Sequence, residues 1–486
     1  MAHIPRTIGD VFAAADPAAE ALVTRSGRYS YAELDRLANR AAHALAAAGV
    51  RPGDRVAASL PNDTDVVAAF HGVMRIGAIW VGVNRALADP EKEFLLADSG
   101  AAFYLSDREA DAGQRPPRHI LVGDDGEWRE LLAGASEVTF PGIIDPHAPA
   151  GIAYTSGTTG HPKGAIHSQH NLLVPGAALV ATRGYGPGLR KGDCFPLTIL
   201  NLQVLTTLLV GQAGGCAVIM DRIDAAGVAE WIRTERVTTW NGPPALLHTM
   251  AHSDDIVAAD LATLDEVWTG GADCPEALRQ AFEAKFGLPV LATYGLSEAP
   301  TVVSIDDRDG SHVVGASGKP LPHLDLRIEG GEVCVAAAAD GPWAGLYTPM
   351  LGYWGRPGTA PDGILRTGDI GEVDARGYLH IRDRKNLVII RGGANVYPAE
   401  VERVLNTVDG VAASAVIGVA DERLGERVVA VVEPVAGAVL DPEELRSECI
   451  GNLAKYKVPE RFVFIEGFTR NSMGKIQRQG LAELFA

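Results

Sequence analysis

Residues 154–168 read YTSGTTGHPKGAIHS, a stretch that places small hydroxyl residues and glycines in front of a single lysine, Lys163. Glycine lets backbone N–H groups approach an anion closely, hydroxyl groups donate further hydrogen bonds, and lysine adds a point charge. A flexible surface linker is the alternative, since Gly/Ser/Thr runs often serve as linkers. An apolar run precedes the stretch and an amphipathic run follows it, which favours an ordered loop that binds phosphate.

This loop departs from the Walker A pattern of P-loop nucleotide triphosphatases. That pattern requires G-x-x-x-x-G-K-[ST] directly before a helix. Here Pro162 occupies the position of the second glycine, and Gly164 follows Lys163 where a Ser or Thr would bind Mg²⁺. The loop therefore predicts nucleotide chemistry of another class.

The composition is that of a soluble globular protein, with 47% hydrophobic and 21% charged residues. A length of 486 residues predicts two or more domains. The net charge of −18 argues against a nucleic-acid partner but leaves an anionic substrate possible. The longest apolar region, residues 202–220, is interrupted by glutamines and glycines, so it predicts a core helix, a turn and a strand without membrane insertion.

The cysteine pattern and the N-terminal residues both favour a cytoplasmic protein. Five dispersed cysteines show no CxxC and no metal-ligand spacing, which is typical of reduced thiols. The opening residues MAHIPRTIGDVF lack the apolar core of a secretory signal.

The first 150 residues alternate helix and strand signals. A capping box from Ser30 to Glu33 opens a helix that closes at Gly49. Residues 55–60 predict a strand, and residues 66–80 predict a second helix that ends near a glycine. The same alternation resumes after the glycine-rich loop and predicts α/β structure with parallel sheets.

The texture of the sequence changes twice in the second half. From about Gly330, short strands and turns predict a small antiparallel, barrel-like part. After Arg384 about a hundred residues predict a small α+β domain, so we expect domains at 1–384 and 385–486.

Four more segments carry candidate chemistry. TGGAD (269–273) and TYGLSE (293–298) each end a predicted strand, where open α/β sheets bind ligands. TGD (367–369) predicts a carboxylate on a turn, suited to ribose hydroxyls, and NSMGKIQR (471–478) places Lys475 beside a glycine.

Five stretches stand in the order of the motifs of one family: YTSGTTGHPKG (154–164), TYGLSE (293–298), LRTGD (365–369), DRKNLVIIRGGANVYPAEVE (383–402) and GKIQR (474–478). Through them the whole chain resembles the adenylate-forming (AMP-binding) superfamily, in its acyl-CoA synthetase branch. The resemblance implies a large domain with ATP and acyl sites and a small mobile domain with a catalytic lysine. It implies that a carboxylic acid and ATP form an acyl adenylate and pyrophosphate, and that coenzyme A then releases AMP. ATP, Mg²⁺ and coenzyme A are the implied cofactors.

The resemblance also implies roles for individual residues. The catalytic set comprises Lys475, which bridges the attacking carboxylate and the α-phosphate, with Glu298 as the Mg²⁺ ligand, Lys163, and Ser297 at the α-phosphate. The nucleotide-binding set comprises Ser156, Thr158, Thr159, Gly271, Ala272, Asp273, Tyr294 (stacked on the base), Gly295, Asp369 (ribose) and Arg384. Gly392 and Gly393 match the path of coenzyme A, and Asn386 matches the hinge between the domains.

The acyl pocket is where the sequence departs from the family. Thr198 and Ile199 stand where many members carry an aromatic or histidine gate, and Ile199 cannot pair with an amino-acid ammonium. We expect Ile199, Trp240, Asn241 and Gly270 to line the pocket and the acid to be apolar apart from its carboxylate. Trp240 fits a cap on the pocket and a core residue equally well.

Two other functions remain open. One is a stand-alone adenylating enzyme that loads an acyl carrier protein. The other is a catalytically inactive nucleotide-binding protein that acts by interaction, which the presence of Glu298 and Lys475 disfavours.

Overall fold

The computed structural model describes residues 4–108, 118–123, 125–155, 162–270, 274–385, 387–391, 394–421, 424–470 and 474–485. Its helices are α1 Tyr31–Ala47, α2 Thr64–Ile76, α3 Asp89–Ser99, α4 Glu127–Ala133, α5 Gln169–Arg183, α6 Leu200–Gln203, α7 Leu209–Ala213, α8 Ala225–Glu235, α9 Pro244–His252, α10 Glu276–Phe286, α11 Pro398–Leu405 and α12 Pro442–Asn452. A π-helical segment, Val204–Leu208, joins α6 to α7. Short 3₁₀ helices span Ile8–Asp10, Ala258–Leu261, Gly341–Trp343, Lys455–Lys457 and Leu481–Phe485.

The strands of the large part of the chain are β1 Glu20–Thr24, β2 Gly27–Ser30, β3 Arg55–Ser59, β4 Ile79–Gly82, β5 Phe103–Ser106, β6 Arg118–Leu121, β7 Pro149–Thr155, β8 Lys163–Ser168, β9 Arg190–Asp193, β10 Cys216–Ile219, β11 Thr239–Asn241, β12 Glu266–Gly270, β13 Val290–Leu296, β14 Ala299–Ile305, β15 Lys319–Pro320, β16 Leu324–Glu329, β17 Glu332–Ala337, β18 Ile364–Val373 and β19 Leu379–Arg384. The remaining strands are β20 Ile389–Arg391, β21 Ala394–Val396, β22 Val411–Asp421, β23 Gly425–Pro434 and β24 Arg461–Phe464.

Two large sheets hold most of the chain. One has the order β15-β14-β13-β12-β11-β9-β10-β1-β2, with parallel pairing from β13 to β1, and the other has the order β6-β5-β3-β4-β7-β8, parallel except for the β7–β8 hairpin. The principal hydrophobic core contains residues of both sheets, including Leu22, Val56, Ala217 and Val302. This arrangement confirms the predicted α/β class.

Two smaller sheets complete the fold. Strands β16 to β19 form an antiparallel sheet in sequence order, and β20 to β24 form a separate sheet on which α11 and α12 pack around Val401 and Leu445. The antiparallel part and the C-terminal α+β part are thus both confirmed.

Local signals explain most helix boundaries. The Ser30 side chain accepts a hydrogen bond from the Glu33 N–H, and the Glu33 carboxylate accepts one from the Ser30 N–H, as the capping box predicts. The helix predicted over residues 66–80 ends at a glycine as expected, Gly77 at φ 77°, but its range is too long because the next apolar residues form β4. Glycine reaches this left-handed conformation without steric cost, which ends the helix there.

Candidate active site

The β13–β14 hairpin carries four of the predicted residues, Tyr294, Gly295, Ser297 and Glu298. Tyr294 lies near the end of β13, and Ser297 and Glu298 form the turn. Gly295 allows the close return of the hairpin, because a Cβ added there would lie 1.7 Å from the carbonyl oxygen of Thr301. Glycine is therefore required at position 295, where β13 approaches β14 closely between Tyr294 and Glu298.

Glu298 is held from the segment between the short Gly341–Trp343 helix and β18. The Tyr353 hydroxyl donates to Glu298 Oε1 at 2.8 Å, and the Met350 N–H donates to the Glu298 carbonyl oxygen at 3.0 Å. Burial, followed by the neighbouring Glu298 charge, raises the pKa of Tyr353 well above its ordinary value, so this hydroxyl keeps its proton and remains a donor. The residue is therefore fixed at two points, one on its carboxylate and one on its backbone.

Lys163 reaches the same tyrosine from another direction. It begins β8, pairs with Thr155 across the hairpin, and places its Nζ 5.6 Å from the ring centroid of Tyr353. Tyr353 itself forms a bridge with Ala165 of β8. One aromatic residue therefore contacts both the lysine of the glycine-rich loop and the carboxylate of the β13–β14 turn.

Asp369 is the centre of a second buried group. The Tyr294 hydroxyl donates to its Oδ2 at 2.5 Å, and Arg384 Nε lies 2.7 Å from its Oδ1. Burial raises the pKa of this carboxyl, while the Arg384 charge and the Tyr294 hydrogen bond act in the opposite direction.

The expectation that Asp369 lies on a turn is wrong. It lies within β18, opposite Arg384 of β19, and its side chain is 4% exposed. Gly368, at φ 75°, accounts for the turn-like sequence, and its N–H donates to Glu332 of the neighbouring strand. The local glycine signal is real, but strand pairing on both sides overrides it.

Lys475 comes from the C-terminal part of the chain and lies beside these groups. Its surroundings lower its pKa, first through partial loss of solvent and then through the charge of Arg384, whereas Asp369 and Glu298 act to raise it. Lys475 as a whole residue remains exposed to solvent. The charges of Glu298 and of Asp369 with Arg384 thus all act on this one amine.

The residues predicted for the acyl pocket lie at the carboxyl ends of β11 and β12 and on the connection that follows β9. Asn241 is buried and its amide donates to Asp193 at 2.8 Å, and Ile199 is half-buried just before α6. At Gly270 an added Cβ would lie 2.0 Å from Thr293 Oγ1 of the next strand. Trp240 has no exposed surface and packs among Val218, Val237, Leu247 and Met250, so its position is that of a core residue.

Several predicted residues lie outside the part of the chain that the structure describes. They are Ser156, Thr158 and Thr159 of the glycine-rich loop, Gly271, Ala272 and Asp273 after β12, and Asn386, Gly392 and Gly393 around the expected hinge. Their roles stay predictions.

Sequence reasoning missed Tyr353 and His167, which both contact the β13–β14 turn. Tyr353 stands in LGYWGR, where glycine-flanked aromatics are the only signal, and His167 looks like one more residue of an apolar strand. Their importance follows from contacts with residues 55 and 130 positions away along the chain.

The described residues fit a Mg²⁺ ion only if a bound phosphate supplies some of its oxygen ligands. Among the described residues, no three His, Cys, Asp or Glu side chains lie together in a way that could hold a metal. Glu298 offers a hard carboxylate oxygen, and Mg²⁺ is commonly held by one or two carboxylates together with substrate phosphates and water. The residues present therefore fit an ion that arrives with a phosphate.

All five cysteines are free thiols, four of them buried. In the described part of the chain, no helix is both long and apolar enough to cross a membrane.

Most of the chain matches known enzyme families and known proteins. The model of the AMP-binding enzyme family matches residues 10–343, and that of the AMP-binding enzyme C-terminal domain matches residues 400–475. The long-chain-fatty-acid–CoA ligase FadD13 of Mycobacterium tuberculosis (strain ATCC 25618 / H37Rv) is 34% identical, covering 94% of this chain and 93% of its own. Feruloyl-CoA synthase of Amycolatopsis sp is 35% identical, covering 92% of each chain.

Two further relatives extend the comparison. The fatty acid–[acyl-carrier-protein] ligase ScoC of Streptomyces coeruleorubidus is 32% identical, covering 97% of this chain and 94% of its own. The crystal structure of ATP-bound MatB from Rhodopseudomonas palustris superposes with a TM-score of 0.89 at 29% identity, covering 99% of both chains.

Proposed function

Because the chain belongs to the AMP-binding enzymes, in their acyl-CoA synthetase branch, and is an acid–thiol ligase, we propose that the cluster around Glu298, Asp369 and Lys475 is its adenylation site. The observation that carries this proposal is that two carboxylates from different sheets, Asp369 and Glu298, both act electrostatically on the Lys475 amine in the direction that raises its pKa.

The reaction has two steps with separate leaving groups. A carboxylate oxygen of the acid attacks the α-phosphorus of ATP, the bond to the bridging oxygen breaks, and pyrophosphate leaves. The thiolate of coenzyme A then attacks the carbonyl carbon of the acyl adenylate, and AMP leaves with the electron pair of the broken C–O bond. Two anions must meet in the first step, so catalysis depends on positioned cations and donors.

Five of the described residues have a place in the first step. Lys163 binds the outer phosphates with the glycine-rich loop, Asp369 and Arg384 bind the ribose end, and Lys475 bridges the substrate carboxylate and the α-phosphate. Glu298 holds Mg²⁺, which supplies charge neutralisation at the phosphates when it is bound. The existing Tyr294 and Arg384 contacts of Asp369 favour an oriented acceptor for hydroxyl groups.

We propose that the acid is apolar beyond its carboxylate and binds beside β11 and β12. Gly270 ends β12, which pairs with β13, the strand that carries Tyr294. Asn241 ends β11, which pairs with β12, and Ile199 lies on the connection that follows β9. Trp240 contributes from the core beneath them and does not contact the acid, because it has no exposed surface.

The free cysteines and the use of ATP and coenzyme A support a cytoplasmic location. The net charge of −18 supports the absence of a nucleic-acid partner.

An acyl carrier protein is the alternative acceptor, and one relative, ScoC, is named as a ligase of that kind. Both acceptors present a thiol, so the first step and its residues are the same for either. The difference lies only in what approaches the acyl adenylate in the second step.

The test incubates the protein with ATP, Mg²⁺, coenzyme A and a panel of aliphatic, aromatic and polycyclic acids, with mass detection of acyl-AMP and acyl-CoA. We expect acyl-CoA from at least one class of acid and none from the Lys475→Ala variant. Acyl-AMP without acyl-CoA, followed by transfer to a carrier protein, would favour the alternative acceptor. Neither product from any acid would favour an inactive nucleotide-binding protein.

A further inference from the structure

His167 lies at the point where β8 passes beneath the β13–β14 turn. It stands four residues after Lys163 and has no exposed surface. Its Nε2 lies 2.7 Å from the carbonyl oxygen of Ser297, and its Nδ1 lies 3.3 Å from Asn171 Nδ2. One buried ring therefore connects the strand of the glycine-rich loop to the turn that carries Glu298.

The hydrogen-bond partners determine the protonation state of this ring. A carbonyl oxygen can only accept, so Nε2 carries the hydrogen, and Nδ1 of the neutral ring accepts from the Asn171 amide. Burial lowers the pKa of His167 to about 4, which keeps the ring neutral near pH 7. The orientation of Asn171 is fixed in turn, because its Oδ1 accepts from the Thr348 N–H at 3.3 Å.

The same chain segment that orients Asn171 also reaches the other side of the turn. Leu351 follows Thr348 by three positions and its N–H donates to Ile166 of β8, and the N–H of Met350 between them donates to Glu298. The turn is thus held on the Glu298 side by Met350 and Tyr353 and on the Ser297 side by His167 alone among the hydrogen bonds of the described residues.

We propose that His167, oriented by Asn171, is a positioning residue for adenylation. It fixes the Ser297 carbonyl, and through it the turn, at a set distance from the strand that begins with Lys163. The cation at the outer phosphates and the carboxylate assigned to Mg²⁺ therefore keep their spacing. This inference rests on the proposed function of the same site. A displacement of about 1 Å in such a constellation can cost on the order of 100-fold in rate.

The experiment compares His167→Leu with His167→Gln in ATP–pyrophosphate exchange and in acyl-CoA formation from supplied acyl-AMP. Leucine removes the donor, whereas the glutamine amide places a donor near the position of Nε2. We expect His167→Leu to lower kcat for exchange by about 10- to 100-fold and to raise the Mg²⁺ concentration needed for half-maximal exchange. We expect His167→Gln to recover most of this loss, and the thioester step to change little in either variant.

His71→Leu and His323→Leu are matched controls, since both histidines are buried and neither has a hydrogen-bond partner among the described residues. They test the removal of a buried imidazole away from the turn, so exchange kinetics should stay within about twofold of the parent protein after correction for the folded fraction. Asn171→Leu is a second variant if His167→Leu does not fold, and it should show a smaller loss of the same kind.

Three results would overturn the proposal. They are normal exchange by folded His167→Leu, equal loss in exchange and thioester formation, and failure of His167→Gln to restore any activity lost in the leucine variant. An inactive parent protein would instead contradict the proposed function, which keeps the two failures distinct.

Discussion

At the scale of single residues, Lys475 is a member of the cluster on which charges of both signs act. Its pKa is lowered by burial and by the charge of Arg384, and raised by the charges of two carboxylates, Asp369 and Glu298. In the proposed first step this amine contacts the α-phosphate and the substrate carboxylate, whose charge is lost once the acyl adenylate has formed. The second step needs no such contact.

We therefore expect Lys475→Ala to lose adenylation and to keep thioester formation. Removing one charge contact of this type costs about 3–4 kcal/mol, which corresponds to about 10²–10³ in rate. Pyrophosphate release and acyl-CoA formation from supplied acyl-AMP, measured separately, check this. Arg446→Ala is a control from the same part of the chain, since Arg446 pairs with Glu443 of α12 and donates to the carbonyl oxygens of Pro459 and Glu460. Normal ATP use by Lys475→Ala would remove the lysine from the mechanism.

At the scale of elements, the β13–β14 hairpin depends on one glycine. The pairing of the two strands shifts register between Tyr294 and Leu296, and Gly295 lies at the shift. Because an added Cβ would meet the Thr301 carbonyl at 1.7 Å, any side chain forces the strands apart at the crossing. Tyr294 and Glu298 lie on opposite sides of it and would move together.

We expect Gly295→Ala to destabilise the large part of the protein by about 1–3 kcal/mol. We also expect the adenylation rate to fall by more than the loss of folded protein explains. Urea unfolding and ATP–pyrophosphate exchange measure the two effects. Gly188→Ala is the matched control, because a Cβ there meets no atom within 4 Å. Parent-like stability of the Gly295→Ala variant would contradict the close approach of the two strands.

Elements with local signals are the ones that the sequence predicts well. The capping box of α1 and the apolar runs of β3, β10 and β22 need only neighbouring residues for their interpretation. The helix over residues 66–80 is too long because the apolar residues of β4 continue its pattern beyond Gly77. Register and strand pairing are long-range properties, so Asp369 is placed in a turn by its sequence and in a strand by the fold.

In the candidate site, the sequence likewise predicts the individual residues but not the long-range contacts between them. Motifs identify Lys163, Glu298, Asp369 and Lys475 because the family resemblance assigns them. The contacts that hold them cannot be read from the motifs, since the Tyr294–Asp369 hydrogen bond spans 75 positions and the His167–Ser297 hydrogen bond spans 130. Such contacts become visible only when the sheets are assembled.

At the scale of the whole molecule, the cluster joins parts of the chain that end in different sheets. Glu298 belongs to the nine-stranded sheet, Asp369 to the four-stranded sheet, and Lys475 follows the strands of the C-terminal sheet. In the proposed second step a thiol must reach the carbonyl that Lys475 faces. Withdrawal of the C-terminal part, predicted as residues 385–486, would open that path.

We expect Asn386→Pro to keep acyl-AMP formation and to lose most CoA-dependent turnover. Asn386 lies outside the described residues and is placed at the hinge by the family resemblance. Proline fixes φ near about −65° and removes the N–H, which restricts the backbone change that a hinge must absorb. Asn386→Gly is the control, because it leaves the backbone free. Equal loss of both half-reactions, or of neither, would count against a hinge at this position.

Three buried histidines make the stability of the large part depend on pH. Burial lowers the pKa of His71 and His323 to about 3 and that of His167 to about 4, and Arg75 contributes at His71. Below the unfolded value of about 6.5, the unfolded chain binds protons that the folded chain does not. Their contribution is therefore fully present above pH 6.5 and is lost as the pH falls toward 4.

We expect each histidine to lower the free energy of unfolding by about 1.2 kcal/mol between pH 7 and pH 5.5, or about 4 kcal/mol for the three. Hydrogen exchange resolved by segment, corrected for intrinsic rates, measures this without assuming one cooperative transition. Strands β22 and β23 provide the internal control, because the sequence contains no histidine beyond His380. Protection should fall in α2 and β8 and persist in β22 and β23, and the triple replacement of these histidines by leucine should flatten the pH dependence. Equal loss of protection in both regions would show that the three buried histidines are not the cause of the pH dependence.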